Sequence, residues 1–290
     1  MNDFIFTPVK LLKKDFYTWL KQTLIDNGWQ NISSRPATEN DIFYSKGESN
    51  NENIFFRMKE YYGAQTTTTI SASIDIYLPV APLRSYTPGI NGAAGVMVPN
   101  VAAANFYNNR IAAGGISINT EMTIYYHCNK DRIVFIVEWP SYSELHSTFH
   151  LFGKTFRPIA KKPMTTQTVV LSGYSYGTVG PYIASIADIN MSTTAIQKGD
   201  FNYFSNLKPK NPSGKYFMSE LCITNDTDGF HSMVDGIYAI NNDTTAEYNI
   251  VLKGDELVDN QGRVYRITSI VRSHTNYPAV PFPLIAFRIQ

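Results

Sequence analysis

The stretch TEMTIYYHCNKDRIVFIVEW, Thr120 to Trp139, decides how this chain is read. Two runs rich in Ile, Val, Tyr and Phe flank Asn129-Lys130-Asp131. β-branched and aromatic residues favour strands, and Asn and Asp favour the bend between them. The stretch therefore predicts two long strands joined by a short turn. Further strands precede it. DIFYS (Asp41 to Ser45) and NIFFRMKEYY (Asn53 to Tyr62) flank the polar turn KGESNNE. In the second of these, Ile54, Phe56 and Met58 alternate with Phe55, Arg57 and Lys59, the period of a half-buried strand. TTTISASIDIYLPV (Thr67 to Val80) is another candidate.

A helix is predicted before these strands. Thr7 suits an N-cap and Pro8 the first helical position. Val9, Leu12, Phe16, Trp19 or Leu20, and Leu24 then recur at three- and four-residue spacing, and Gly28 supplies a stop. Lys10, Lys13, Lys14 and Lys21 fall mostly off that stripe and read as a solvated face. A helix followed by an antiparallel meander argues α+β, with the N-terminal helix packed on an antiparallel sheet. From about Lys161 shorter β segments take over: TVVLSGY, PYIASIAD, KYFMSELCIT, GFHSMVDGIYAI, EYNIVL and the hairpin KGDELVDNQGRVYRITSIVRS (Lys253 to Ser273). The expected division is an α+β domain over 1–161 and a mainly β domain over 162–290.

Arg84 to Ser117 is rich in Gly, Ala and Asn and weakly periodic. It reads as a long insertion, and long loops in compact domains are usually functional or mobile. Two readings follow: a flexible insertion, or an arm that orders against a neighbouring subunit. Tyr86, Met97, Val98, Val101, Phe106 and Tyr107 are the apolar anchors of the second.

Composition narrows the function classes. Charged residues make up only 17% of the chain, while Tyr and Phe number 19 and 17. That balance suits sheets and broad contact surfaces. A net charge of +1 creates no basic field for sequence-specific nucleic acid. Two cysteines, Cys128 and Cys222, read as buried thiols rather than a disulfide scaffold. No apolar run approaches a membrane span, and MNDFIFTPVKLLKKDF does not have the order of a secretory signal.

The catalytic motifs are thin. GYSYG, Gly173 to Gly177, matches G-x-S-x-G after the strand-like TVVLS. Asp235 and His274 follow in the chain order of a hydrolase triad with Ser175. Yet Gly180 and Pro181 fall where the elbow's helix should open, so a Gly-rich β-turn is the reading taken, with a serine hydrolase as the alternative. FGKTF, Phe152 to Phe156, ends like a P-loop, but Thr148 stands where its first glycine belongs. His146 and His150 lie four apart without further ligands beside them. Asp226 and Asp228 lack the remaining spacing of a calcium loop. No metal or cofactor is expected.

The block FYTWLKQTLIDNGWQNISSRPATENDIFYSKGESNNENIFFRMKEYY (Phe16 to Tyr62), with RSYTPGINGAAG (Arg84 to Gly95) and IYYHCNKDRIVFIVEW (Ile124 to Trp139) after it, resembles structural proteins of large tailed bacteriophages. The order of helix, NGW, polar bend, FYSKGES and meander is similar to tail-terminator and neck-ring proteins over about residues 7 to 140. GDELVDNQGRVYRI (Gly254 to Ile267) is similar to β-rich portions of head-to-tail joining and tail proteins. The resemblance implies no catalytic residues. It implies a virion protein of the neck or tail, assembled in the host cytoplasm, whose partners are its own copies in a ring and other neck, tail or sheath proteins. Tyr86, Met97, Val98, Phe106 and Tyr107 are the expected assembly contacts. A tail-tip carbohydrate binder using exposed Tyr and Trp is a further alternative.

Overall fold

The structure, a computed structural model, describes residues 4–36, 40–59, 61–62, 76–99, 107–112, 119–141, 144–154, 168–172, 182–186, 200–202, 218–225, 229–240, 254–269 and 284–290. They form an α+β fold dominated by antiparallel sheets, as the helix-then-meander pattern predicts.

A central sheet runs in the order β1 (Thr7–Leu12), β9 (Glu121–Cys128), β10 (Arg132–Ser141), β11 (Glu144–Lys154), β12 (Thr168–Ser172) and β13 (Tyr182–Ile186). The β9–β10 hairpin is the one that Thr120 to Trp139 predicts. Its turn is held by Asn129, whose Oδ1 accepts from the backbone N–H groups of Asp131 (3.0 Å) and Arg132 (3.1 Å). Every residue from Arg132 to Trp139 is buried, so this strand is covered on both faces. β12 and β13 lie past residue 161 and continue this sheet.

A second sheet takes β2 (Gln30–Asn31), β3 (Asp41–Ser45), β4 (Ile54–Met58), β6 (Ile76–Thr87) and β5 (Tyr61–Tyr62). β7 (Val96–Pro99) and β8 (Tyr107–Ala112) also pair with β6. The alternation in β4 divides two cores. Ile54, Phe56 and Met58 join one cluster with Ile133, Phe135, Val137 and Phe152 of the central sheet. Phe55 joins Ile42, Leu83 and Tyr86 on the opposite face. A third sheet, β14 (Asp200–Asn202), β15 (Met218–Asn225), β16 (Gly229–Ile240), β19 (Leu284–Arg288), β18 (Val264–Ser269) and β17 (Glu256–Val258), lies against the other face of the central sheet. There Tyr125 meets Phe287 at 5.1 Å between ring centroids, and Thr268 Oγ1 donates to Ser147 Oγ at 2.8 Å.

The helix is shorter than its apolar spacing predicts. Thr7–Leu12 is strand β1, Lys13–Asp15 is a 3₁₀ turn, and α1 covers only Phe16–Asp26. The edge of β9 explains the difference. It accepts Thr7–Leu12 in register from Tyr126 to Glu121, and Val9 and Leu11, two apart, turn toward the main core. β1 is an edge strand, where a proline such as Pro8 is tolerated. The helix stop is where Gly28 predicts it. Gly28 has φ of +87°, its N–H donates to Ile25 O at 3.0 Å, and Trp29 N–H donates to Leu24 O at 3.1 Å. That pair of bonds is a Schellman end, which glycine adopts without strain.

The lysines do not form a solvated helix face. Lys13 is buried, Lys10 lies on β1 near Glu121, and Lys21 reaches Asp41 at 2.9 Å. Tyr17, Lys21 and Asn31 all bond the Asp41 carboxylate, tying α1 to the second sheet. Burial works to raise that carboxyl, but the three bonds outweigh it and hold its pKa below the ordinary range.

Candidate assembly surface

Arg84 to Ser117 is not a single structureless insertion. β6 continues through Thr87, and β7 pairs back on it with Tyr86 opposite Met97 and Ser85 opposite Val98. β8 pairs with the earlier half of β6, Tyr107 opposite Val80. Between β6 and β7 the chain turns at Asn91 and Gly92, with φ of +54° and +77°, and Ala93 N–H donates to Ile90 O at 3.1 Å. Positive φ at both central residues is the type I′ turn, for which Asn-Gly is the favoured pair. The sequence signal for this hairpin was present in GINGAAG, but the neighbouring Gly and Ala mask it.

The base of this tongue is fixed. Tyr86 is 6% exposed, and its Oη accepts from Ser34 N–H at 2.9 Å and lies 2.9 Å from Ser34 Oγ. Ser34 Oγ in turn accepts from Gly89 N–H. Tyr86 therefore uses its ring inside the chain instead of presenting it to a neighbour, and Met97 packs beside it. The tip is where apolar side chains face outward: Ile90 is 78% exposed and Val96 66%. Sequence reasoning missed both, because exposure of an isolated Ile or Val is decided by what packs over it. Val98 and Tyr107 hold strand positions in β7 and β8, and Phe106 and Val101 lie outside the described residues.

Ser175 and His274 of the alternative triad also lie outside the described residues, as do Asp226 and Asp228. Asp235 falls within β16. The strands on either side of GYSYG, β12 and β13, pair antiparallel, Ser172 opposite Tyr182. A nucleophile elbow instead passes from a strand into a helix. His150 sits on β11 opposite Phe135, stacked on its ring at 4.9 Å between centroids. It is fully buried, neither ring nitrogen has a hydrogen-bond partner among the described residues, and desolvation pushes its pKa down to about 3. Such an imidazole is a neutral part of the core. Burial pushes the Cys128 thiol up, so it is not a reactive thiolate at neutral pH. Lys154 of the P-loop-like FGKTF pairs with Glu52 at 2.7 Å.

The polar contacts between layers are structural in kind. Arg266 Nη2 donates to Glu138 Oε2 at 3.0 Å, and Arg266 Nη1 donates to Gly254 O at 2.7 Å. The guanidinium lies over the Tyr125 ring at 5.8 Å. Burial opposes the Arg266 charge, but Glu138 outweighs it and raises its pKa. Burial, then Glu138, raises the Tyr125 phenol. A guanidinium held this way moves no proton; it aligns the third sheet on the central one.

The chain matches no known family model and no curated protein.

Proposed function

We propose that this chain is a non-enzymatic structural protein of a tailed-phage virion, a ring-forming component of the neck or tail. The carrying observation is the β6–β7 tongue. Its base is fixed by Tyr86 and Ser34, its tip is set by a tight Asn-Gly turn, and the tip presents Ile90 and Val96. A pre-ordered apolar projection loses little entropy on docking, which is what a repeated subunit contact needs. The low charge and high aromatic content fit the same use. The resemblance of residues 7 to 140 to tail-terminator and neck-ring proteins supplies the setting. The antiparallel pairing of β12 with β13 around GYSYG favours a turn over the alternative serine hydrolase.

The test is negative-stain imaging of the purified protein, alone and in particles, with Ile90→Asp and Val96→Asp alongside. Burying one such side chain is worth about 1.5–3 kcal/mol, so each charge should weaken association about 10-fold or more. Rings or particle incorporation should be lost while the melting temperature holds. A native chain that stays monomeric at every concentration and is missing from particles would overturn the reading. Covalent labelling by a fluorophosphonate, abolished in Ser175→Ala, would replace it with the hydrolase. Retention of glycan by the monomer would replace it with the carbohydrate binder.

A further inference from the structure

We propose that Phe4–Leu12 is an exchangeable arm: in the assembled state the arm of one copy lies on β9 and the third sheet of the next. The inference rests on the assembly reading and names the segment that joins the subunits.

The arm is held by docking. Phe4 stacks on His127 at 3.8 Å between centroids, and Phe6 meets the edge of Phe287 at 5.3 Å. Phe6 N–H donates to Arg288 O at 2.8 Å, and Ile5 O lies 3.2 Å from His127 Nδ1. Both phenylalanines are buried. The seat is shaped for them. β16 is irregular where its pairing passes from Leu221↔Val234 to Glu220↔Tyr238, and Gly236 there has φ of +81°. A Cβ at Gly236 would lie 2.3 Å from Phe4 Cδ1, so only glycine leaves room for that ring. β1 then adds six residues to β9 and, among the described residues, pairs with no other strand. These receiving surfaces lie more than a hundred residues away in sequence. A second copy offers identical ones, so its seat fits this arm equally well.

The hinge is equally specific. Lys13–Asp15 is a 3₁₀ turn between β1 and α1, anchored by Lys13 N–H on Thr120 O at 3.0 Å. Residues 8–26 also carry one uninterrupted helical stripe, Val9, Leu12, Phe16, Leu20 and Leu24, with Pro8 suited to its first turn. The edge of β9 overrides that local preference. Freed from β9, the hinge has a second conformation of its own, a continuation of α1. Exchange of an arm requires such a hinge, able to adopt two backbone conformations.

Cross-linking of the full chain decides the matter. In β1–β9 the pairs Thr7↔Tyr126 and Lys10↔Thr123 are three residues apart. Antiparallel pairs alternate, so one of the two is the close kind, with Cα atoms about 4.5 Å apart, within disulfide reach. Thr7→Cys and Tyr126→Cys chains are mixed, as are Lys10→Cys and Thr123→Cys chains, and then oxidised. The unaltered chain, with Cys128 and Cys222, is the blank, and both substitutions in one chain report intramolecular closure. The expected result is a band at twice the chain mass in one mixture. It should exceed the level from either single variant and grow with protein concentration. Closure within the doubly substituted chain, with no such band from either mixture, overturns the arm. Imaging separates this from the assembly reading. Rings with closure only within chains keep the ring and refute exchange; cross-linked pairs without rings or particles keep exchange and refute the ring.

Discussion

His150→Leu should flatten the acid side of the stability curve. In the fold the imidazole sits against Phe135 with both nitrogens unpartnered among the described residues, and desolvation lowers its pKa from 6.5 to about 3. Above pH 6.5 both folded and unfolded chains hold it neutral, and it adds no pH dependence. Below that, the unfolded chain takes up a proton that the folded chain refuses, so stability falls with pH until the folded ring also titrates near pH 3. At about 1.4 kcal/mol per pH unit the whole window is worth roughly 5 kcal/mol, of which about 2 kcal/mol falls between pH 7 and pH 5. Leucine keeps apolar contact with Phe135 and removes two unpartnered polar atoms, so at pH 7 the substitution should cost little, within about 1 kcal/mol. Urea melts of the native chain and the variant at pH 7, 6 and 5 give the difference directly. Asp41 and His127 titrate in both proteins and cancel. The variant should lose about 2 kcal/mol less than the native chain over this range. Parallel curves would refute the reasoning, because they would mean that the folded ring accepts a proton near its ordinary pKa.

Leu20→Ala removes a side chain with no exposure from the helix face of the main core. It should cost about 2–5 kcal/mol, and a melting temperature that barely moves would show the helix detached from that core. Glu138→Ala leaves the part-buried Arg266 beside Tyr125 with Gly254 O and, at 3.8 Å, the more exposed Glu256, and should cost about 1–3 kcal/mol, while Glu138→Leu with Arg266→Met should recover most of it; chemical denaturation of both variants reads the contrast. Asp41→Asn should destabilise at neutral pH and shed part of the acid sensitivity. The lowered folded pKa of Asp41 makes its contribution full above the ordinary carboxylate range and lost as pH falls below it. Melts at pH 7 and pH 3 check it: equal losses at both would show that the carboxylate's charge is not what binds Tyr17, Lys21 and Asn31.

Some of this fold is decided by residues close in sequence. Asn129 makes its own turn by bonding Asp131 and Arg132, so β9 and β10 are legible from twenty residues. Gly28 ends α1 with bonds reaching back only to Leu24 and Ile25, and β3, β4 and the β17–β18 hairpin are equally local. The alternation of β4 was legible too, but not that Phe55 is also buried, since a second core on the outer face depends on Tyr86 and Leu83. Other choices belong to distant partners. The helical spacing of Val9 and Leu12 is real, yet β9 makes them strand, because an open sheet edge takes six residues into register and draws the side chains of Val9 and Leu11 into the core. The tongue's strands are paired by β6, and which of its apolar residues is an anchor and which an exposed tip follows from whether Ser34 and Phe55 lie against it. Composition and periodicity determined that this chain would build antiparallel sheets with a helix near its start. Only tertiary structure decided where that helix begins, which histidine is buried neutral and which apolar side chains remain outside, because burial and edge pairing belong to surfaces distant in sequence, Ser34 with Tyr86 and Thr7–Leu12 with β9.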